Sequence, residues 1–168
     1  MRTAVITVSD RSFRGERPDV SGPVLKALAE EAGGEVVEAL IVPDEPSIIS
    51  RALVRLADVI GCELILTTGG TGLSPRDTTP EATRRVIHRE LPAMALAIQQ
   101  ASLKKTPFAM LSRGVVGARG ATLIINFPGS PKAVTECFAT IRPVLGHAVK
   151  LLRDEDPYAH PEVAACRT

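Results

Sequence analysis

β-branched apolar runs alternate with amphipathic stretches through the first 66 residues, and that alternation restricts the chain to an α/β architecture. Residues 3–8, Thr3-Ala4-Val5-Ile6-Thr7-Val8, read as a strand buried on both faces. Val24, Leu25, Leu28 and Ala32 then recur at helical spacing behind Ser21 as N-cap, and Gly33-Gly34 ends that helix. Residues 36–42 form the next strand, and Ile48, Ile49, Ala52, Leu53, Leu56 and Ile60 mark an amphipathic helix over 47–60. Glu63-Leu64-Ile65-Leu66 is the third strand. A strand-helix-strand-helix-strand order calls for a parallel sheet with helices on both faces.

The third strand delivers Thr67-Thr68-Gly69-Gly70-Thr71-Gly72-Leu73-Ser74-Pro75-Arg76-Asp77-Thr78-Thr79-Pro80-Glu81 to the carboxyl edge of that sheet, where open α/β sheets bind ligands. Three glycines let the backbone turn its N–H groups toward an anion, with hydroxyls from Thr67, Thr68, Thr71 and Ser74 beside them. Thr79 is placed as the N-cap of the following helix, with Pro80 at its first position and Glu81 against the helix dipole. Arg76 supplies a phosphate-binding cation, and Asp77 a carboxylate suited to magnesium. No Lys-Ser or Lys-Thr follows the glycines, so this is not a Walker A loop.

Other segments converge on the same edge by topology. Ser9-Asp10-Arg11 follows the first strand, and residues 12–19 read as a polar loop that either covers a ligand or merely connects. Pro43-Asp44-Glu45-Pro46 follows the second strand, where a carboxylate either caps the next helix or faces a metal with Asp77. Helices are expected over 81–89 and 92–103, the latter apolar enough for deep burial or a subunit interface. Residues 113–121 read as a glycine-rich turn into a strand at 122–126. That strand ends in Phe127-Pro128-Gly129-Ser130-Pro131-Lys132, where Ser130 as N-cap and Pro131 at the first helical position open a helix running to about residue 152. Residues 153–168 are expected as a surface tail on a single domain of 168 residues.

Composition removes several classes of function. A formal net charge of +1, one Tyr and no Trp give no basis for nucleic-acid or acidic-membrane binding. No apolar run is long enough to span a membrane, and the first strand begins without a signal-peptide pattern, so a cytoplasmic protein is expected. Cys62, Cys137 and Cys166 are scattered and odd in number, which suits reduced thiols, and they form no zinc spacing with His88, His147 or His160.

The glycine loop with its Arg76-Asp77 and Thr79-Pro80-Glu81 ending, together with Pro43-Asp44-Glu45 and Pro128-Gly129-Ser130-Pro131, resembles the MogA/MoaB family of molybdenum-cofactor biosynthesis. The Pro157-Tyr158 and Pro161-Glu162-Val163 tail looks more like the MogA branch. The resemblance implies a three-layer α/β/α molybdopterin-binding fold with a mostly parallel central sheet, commonly a homotrimer. It also implies an ATP-dependent nucleotidyltransferase that adenylylates molybdopterin, with Mg2+ required, and a molybdenum-insertion enzyme downstream. Asp44 and Asp77 match the family's essential acids and would hold the metal. Thr68, Gly69, Gly70, Thr71 and Gly72, with Gly129, Ser130, Pro131 and Lys132, match its substrate-binding loops, and Ser9 and Asp10 match more loosely. The alternatives are a MoaB-like pterin carrier and a CinA-like nucleotide-processing enzyme.

Overall fold

The computed structural model describes residues 1–155. The last part of the expected tail, with Pro157-Tyr158, His160, Pro161-Glu162-Val163 and Cys166, lies outside the described residues.

Six strands form one sheet in the order β2-β1-β3-β6-β5-β4. β1 (Arg2–Val8), β2 (Glu35–Val42), β3 (Leu64–Thr68) and β6 (Thr122–Phe127) are mutually parallel. β5 (Val116–Arg119) and β4 (Arg89–Glu90) extend the sheet antiparallel. The mostly parallel α/β sheet expected from the sequence is therefore present.

Strand periodicity explains why helices are needed on both faces. Val5, Leu64, Leu66, Leu123, Ile125 and Phe127 point to one layer, where α2 (Ser21–Glu31), α5 (Pro92–Leu103) and α6 (Pro131–Leu152) pack. Ala4, Ile6, Val8, Ile65 and Ile124 point to the other, covered by α3 (Pro46–Val54) and α4 (Thr79–Arg84). Burying one such Leu, Ile or Phe side chain stabilises the fold by about 1.5–3 kcal/mol. Phe127 and Phe138 join sheet to α6 with ring centroids 6.1 Å apart.

Several local expectations change for identifiable reasons. α2 is capped by the Asp19 carboxylate, which accepts from the N–H groups of Ser21 (3.1 Å) and Gly22 (3.0 Å); Ser21 is already helical. The 47–60 helix is α-helical to Val54 and continues as a π-helical turn over Arg55–Val59. The helix expected over 81–89 ends at Arg84, because the chain must extend at Arg89–Glu90 to pair with β5. Residues 113–121 contain β5 as well as the turn: the adjacent Gly117 and Ala118 sit in the ladder opposite Ile124 and Leu123, and Gly120-Ala121 close a hairpin to β6. The 12–19 loop is shortened by one turn of helix, α1 (Asp10–Phe13).

α5 has no fully buried residue, which rules out deep burial. Met94, Ala95 and Ile98 rest on the core while Leu96 is exposed. Cys62 and Cys137 are free and buried, and burial raises both thiol pKa values, as suits inert core thiols.

Candidate active site

The carboxyl ends of β1, β2, β3 and β6 meet at one edge and bring Asp10, Asp44, the glycine loop and Gly129 together. Thr67 and Thr68, expected in the loop, instead complete β3 and are fully buried. The Thr67 hydroxyl accepts from Asn126 Nδ2 at 3.0 Å. Asn126 Nδ2 also donates to Thr83 Oγ1 at 3.0 Å, tying β3, β6 and α4 together beneath the site. The Thr68 hydroxyl donates to the Pro128 carbonyl at 2.8 Å, so its side chain joins two loops and is not turned to a ligand.

Gly69 and Gly70 both lie at positive φ, 95° and 63°. Thr79 is the first helical residue rather than the N-cap: its hydroxyl donates to the Gly69 carbonyl (2.9 Å) and its N–H to the Gly70 carbonyl (3.1 Å). Helix α4 thus braces the loop from behind. Thr78 occupies the cap position without a side-chain cap bond. Gly129 approaches from the β6 side; a Cβ there would be 3.3 Å from Gly69 Cα. Ser130 is the N-cap residue of α6 by position, but its side chain makes no cap bond; Pro131 follows it, and Lys132 is exposed on the first turn.

The acids form the other wall. Asp10 N–H donates to Asp44 Oδ2 at 2.7 Å and Asp44 N–H donates to Asp10 Oδ1 at 3.0 Å, a reciprocal clasp between the ends of β1 and β2. Neither Asp44 nor Glu45 caps α3 with its side chain. Arg76 instead links Asp10 (Nη2 to Oδ2, 2.8 Å) to Glu45 (Nη1 to Oε1, 3.1 Å), pulling the far part of the loop across to the β1–β2 side. Ser9 turns its hydroxyl to the Ser12 N–H at 3.2 Å and caps α1.

Both candidate catalytic carboxylates face the glycines. A Cβ on Gly70 would lie 3.1 Å from Asp44 Oδ1, and one on Gly72 would lie 2.9 Å from Asp77 Oδ2. Asp77 Oδ2 also accepts from the Ser74 N–H at 2.9 Å. Among the described residues, no group of three or more His, Cys, Asp or Glu side chains is arranged to hold a metal. The donor set of two carboxylates nevertheless fits magnesium, which keeps several waters and takes the rest of its oxygens from phosphates.

Charge is unevenly compensated at this wall. Desolvation raises the Asp44 pKa, the Asp10 N–H partly offsets it, and the charges of Asp10 and Asp77 raise it further. At Asp10, desolvation is outweighed by the Asp44 N–H and by the hydrogen bonds and charge of Arg76, leaving its pKa below the ordinary value. A raised folded-state pKa means that ionised Asp44 opposes folding: this cost is absent below the ordinary carboxylate pKa and grows as pH rises through the raised one. Asp44→Asn, which keeps an acceptor for the Asp10 N–H, is therefore expected to melt a few degrees above wild type at about pH 7 and level with it near pH 3. Thermal melts across that range check it; a lower melting point at neutral pH would show that the carboxylate is well compensated.

Sequence reasoning missed Arg113. From the segment before β5, its Nε donates to the Gly72 carbonyl at 2.8 Å, its Nη2 to the Asp77 carbonyl at 2.6 Å, and its Nη1 pairs with Glu81. A lone arginine beside a glycine in an apparent turn carries no spacing signal that would reveal this.

The family described as "probable molybdopterin binding domain" matches residues 4–147. The chain is 48% identical over 153 residues to the molybdenum cofactor synthesis protein cinnamon of Drosophila melanogaster, covering 90% of this chain but 25% of that protein. It is 39% identical over 153 residues to the molybdopterin adenylyltransferase of Helicobacter pylori J99, covering 88% of this chain and 85% of that enzyme. A solved structure of the molybdopterin biosynthesis enzyme MoaB from Thermus thermophilus superposes with a TM-score of 0.86 at 48% identity, over 91% of this chain and 96% of that one. A strand-end site built on the glycine loop, in a chain matched almost end to end by these proteins, belongs to the molybdopterin-binding domain family of MogA and MoaB.

Proposed function

We propose that this protein is a molybdopterin adenylyltransferase, transferring AMP from Mg2+-bound ATP to the phosphate of molybdopterin and releasing pyrophosphate. The observation that carries the reading is the approach of Asp44 and Asp77 to the backbone of Gly70 and Gly72 at the carboxyl edge of the parallel strands. The adenylyltransferase name borne by a relative of nearly the same extent supports it.

In the reaction, a phosphate oxygen of molybdopterin bonds to the α-phosphorus of ATP, and the bond from that phosphorus to the oxygen bridging to the β-phosphorus breaks. The nucleophile is already ionised near neutral pH, so no strong general base is needed. The demand on the protein is to position and neutralise converging phosphates. Backbone N–H groups of the loop from Gly69 to Gly72, and the turn at Gly129, Ser130 and Pro131, suit phosphate binding, with Lys132 adding a cation. Ser9, Asp10 and Thr68 shape the same edge. Asp44 and Asp77 would hold Mg2+, which when bound would supply neutralisation of phosphate charge.

Phe108 and Met110, on a 3-10 turn beside α5, are 76% and 67% exposed, and Leu96 on α5 is exposed as well; apolar side chains left in water support a homotrimer. Light scattering reads the subunit count directly. No helix among the described residues is long and apolar enough to cross a membrane. We assign the reaction to the cytoplasm, with the adenylylated pterin passing to a molybdenum-insertion enzyme.

Pyrophosphate release from ATP and Mg2+, measured with and without molybdopterin, tests the reading. Pterin-dependent release is expected. Tight pterin binding without any release would replace the enzyme with a carrier.

A further inference from the structure

We propose that Arg113, itself held by Glu81, is the positioning residue that sets Asp77 for AMP transfer; the inference rests on the adenylyl-transfer reading. One guanidinium grips both ends of the 72–77 segment, at the Gly72 carbonyl (2.8 Å) and the Asp77 carbonyl (2.6 Å). The Arg113 N–H adds a third tie, to the Thr71 carbonyl at 2.9 Å. Bonds within the segment are local, such as Asp77 N–H to the Ser74 carbonyl at 2.8 Å and Ser74 N–H to Asp77 Oδ2 at 2.9 Å. They shape the turn without fixing it to the sheet. Two arginines provide that link: Arg76 reaches Asp10 and Glu45 on the β1–β2 side, and Arg113 alone of the two holds the Asp77 main chain, from a segment just before β5 in which the Val115 N–H donates to Asn126 Oδ1 at 3.1 Å.

Glu81 carries an independent sign of this arrangement. Thr78-Thr79-Pro80-Glu81 has the spelling of a capping box, in which Thr78 and Glu81 would each satisfy the other's backbone N–H. The box is not formed. One Glu81 oxygen pairs with Arg113, while Glu81 Oε2 and Thr78 Oγ1 have no hydrogen-bond partner among the described residues. Leaving the box unformed gives up local helix-cap stability. Orienting the planar fork of Arg113 toward two carbonyls explains that loss, and a lysine ammonium cannot reproduce that fork.

Arg113 acts on main-chain carbonyls and not on substrate, so its test pairs backbone protection with kinetics. In Arg113→Lys, amide exchange over residues 72–78 is expected to rise at least about tenfold while β3 stays protected. The kcat for pyrophosphate release should fall by roughly 10- to 100-fold, with KM for ATP and for molybdopterin changed by no more than about threefold. Glu81→Gln, which leaves the carbonyl bonds in place, should show the same pattern at smaller size. Wild-type turnover in Arg113→Lys overturns the proposal. So does exchange that rises equally in β3, which would make Arg113 a general stabiliser. A wild-type chain that releases no pyrophosphate refutes the adenylyl-transfer reading alone; the clamp is then upheld by protection loss confined to 72–78 and overturned by unchanged protection there.

Discussion

Asp77→Asn is expected to lower kcat for pterin-dependent pyrophosphate release by roughly 10²–10³-fold or more while leaving molybdopterin binding within a small factor of wild type. The substitution is nearly isosteric, and the remaining carbonyl oxygen can still accept from the Ser74 N–H that now meets Asp77 Oδ2 at 2.9 Å. Loop shape is therefore kept, and what disappears is one negative charge facing Gly72. If that charge helps hold a cation between the phosphates, its loss is felt most where charge is redistributed in the transition state, so kcat falls more than affinity. Equilibrium binding of the pterin and saturating-substrate turnover separate the two. Lost binding with normal turnover per bound substrate would make Asp77 a substrate-binding group instead.

The parts of this molecule that a reader could obtain from the sequence are those with an apolar pattern. Continuous apolar runs in β1, β3 and β6, and the 3.6-residue spacing in α2 and α3, specify a parallel sheet covered on both faces, because such strands are buried on both sides. The loop and its edge followed from strand direction. Boundaries were lost where tertiary pairing decides them: Thr67 and Thr68 look like loop hydroxyls until β6 is seen to pair alongside, and Arg89–Glu90 extends only because β5 exists. Caps expected at Ser21 and Thr79 lie elsewhere, and of the two roles open to Asp44 the cap is not taken. Each has the right chemistry for a cap, but Ser21 is already the first helical residue, so Asp19, two residues before it, accepts from the N–H groups of Ser21 and Gly22, while Thr79 and Asp44 have long-range partners in Gly69 and Asp10. Arg113 and Asn126 are illegible in one dimension, since their partners lie at the far ends of other elements.

The largest stability effect is expected at Gly69→Ala. Gly69 sits at φ 95°, which an L side chain rarely adopts, and its Cβ would fall 2.3 Å from the Val8 carbonyl oxygen, a main-chain atom of the interior strand β1. That atom cannot rotate aside. Either β1 shifts within the sheet or the loop tears away from the Thr79 hydroxyl that holds the Gly69 carbonyl at 2.9 Å. Strained backbone and overpacking together should cost about 3–5 kcal/mol, lowering Tm by roughly 6–20 °C in a chain of this length. Gly15→Ala is the control, because Gly15 also has positive φ (72°) but nothing within 4 Å of its would-be Cβ. It should cost only the backbone term, about 1 kcal/mol. The difference in Tm between the two variants isolates the contact with Val8, and equal melting points would mean that the loop can move off β1 at little cost. Such a loop would be too loosely held to keep Gly70 and Gly72 against Asp44 and Asp77, so this comparison also tests whether the site is built before its ligands arrive.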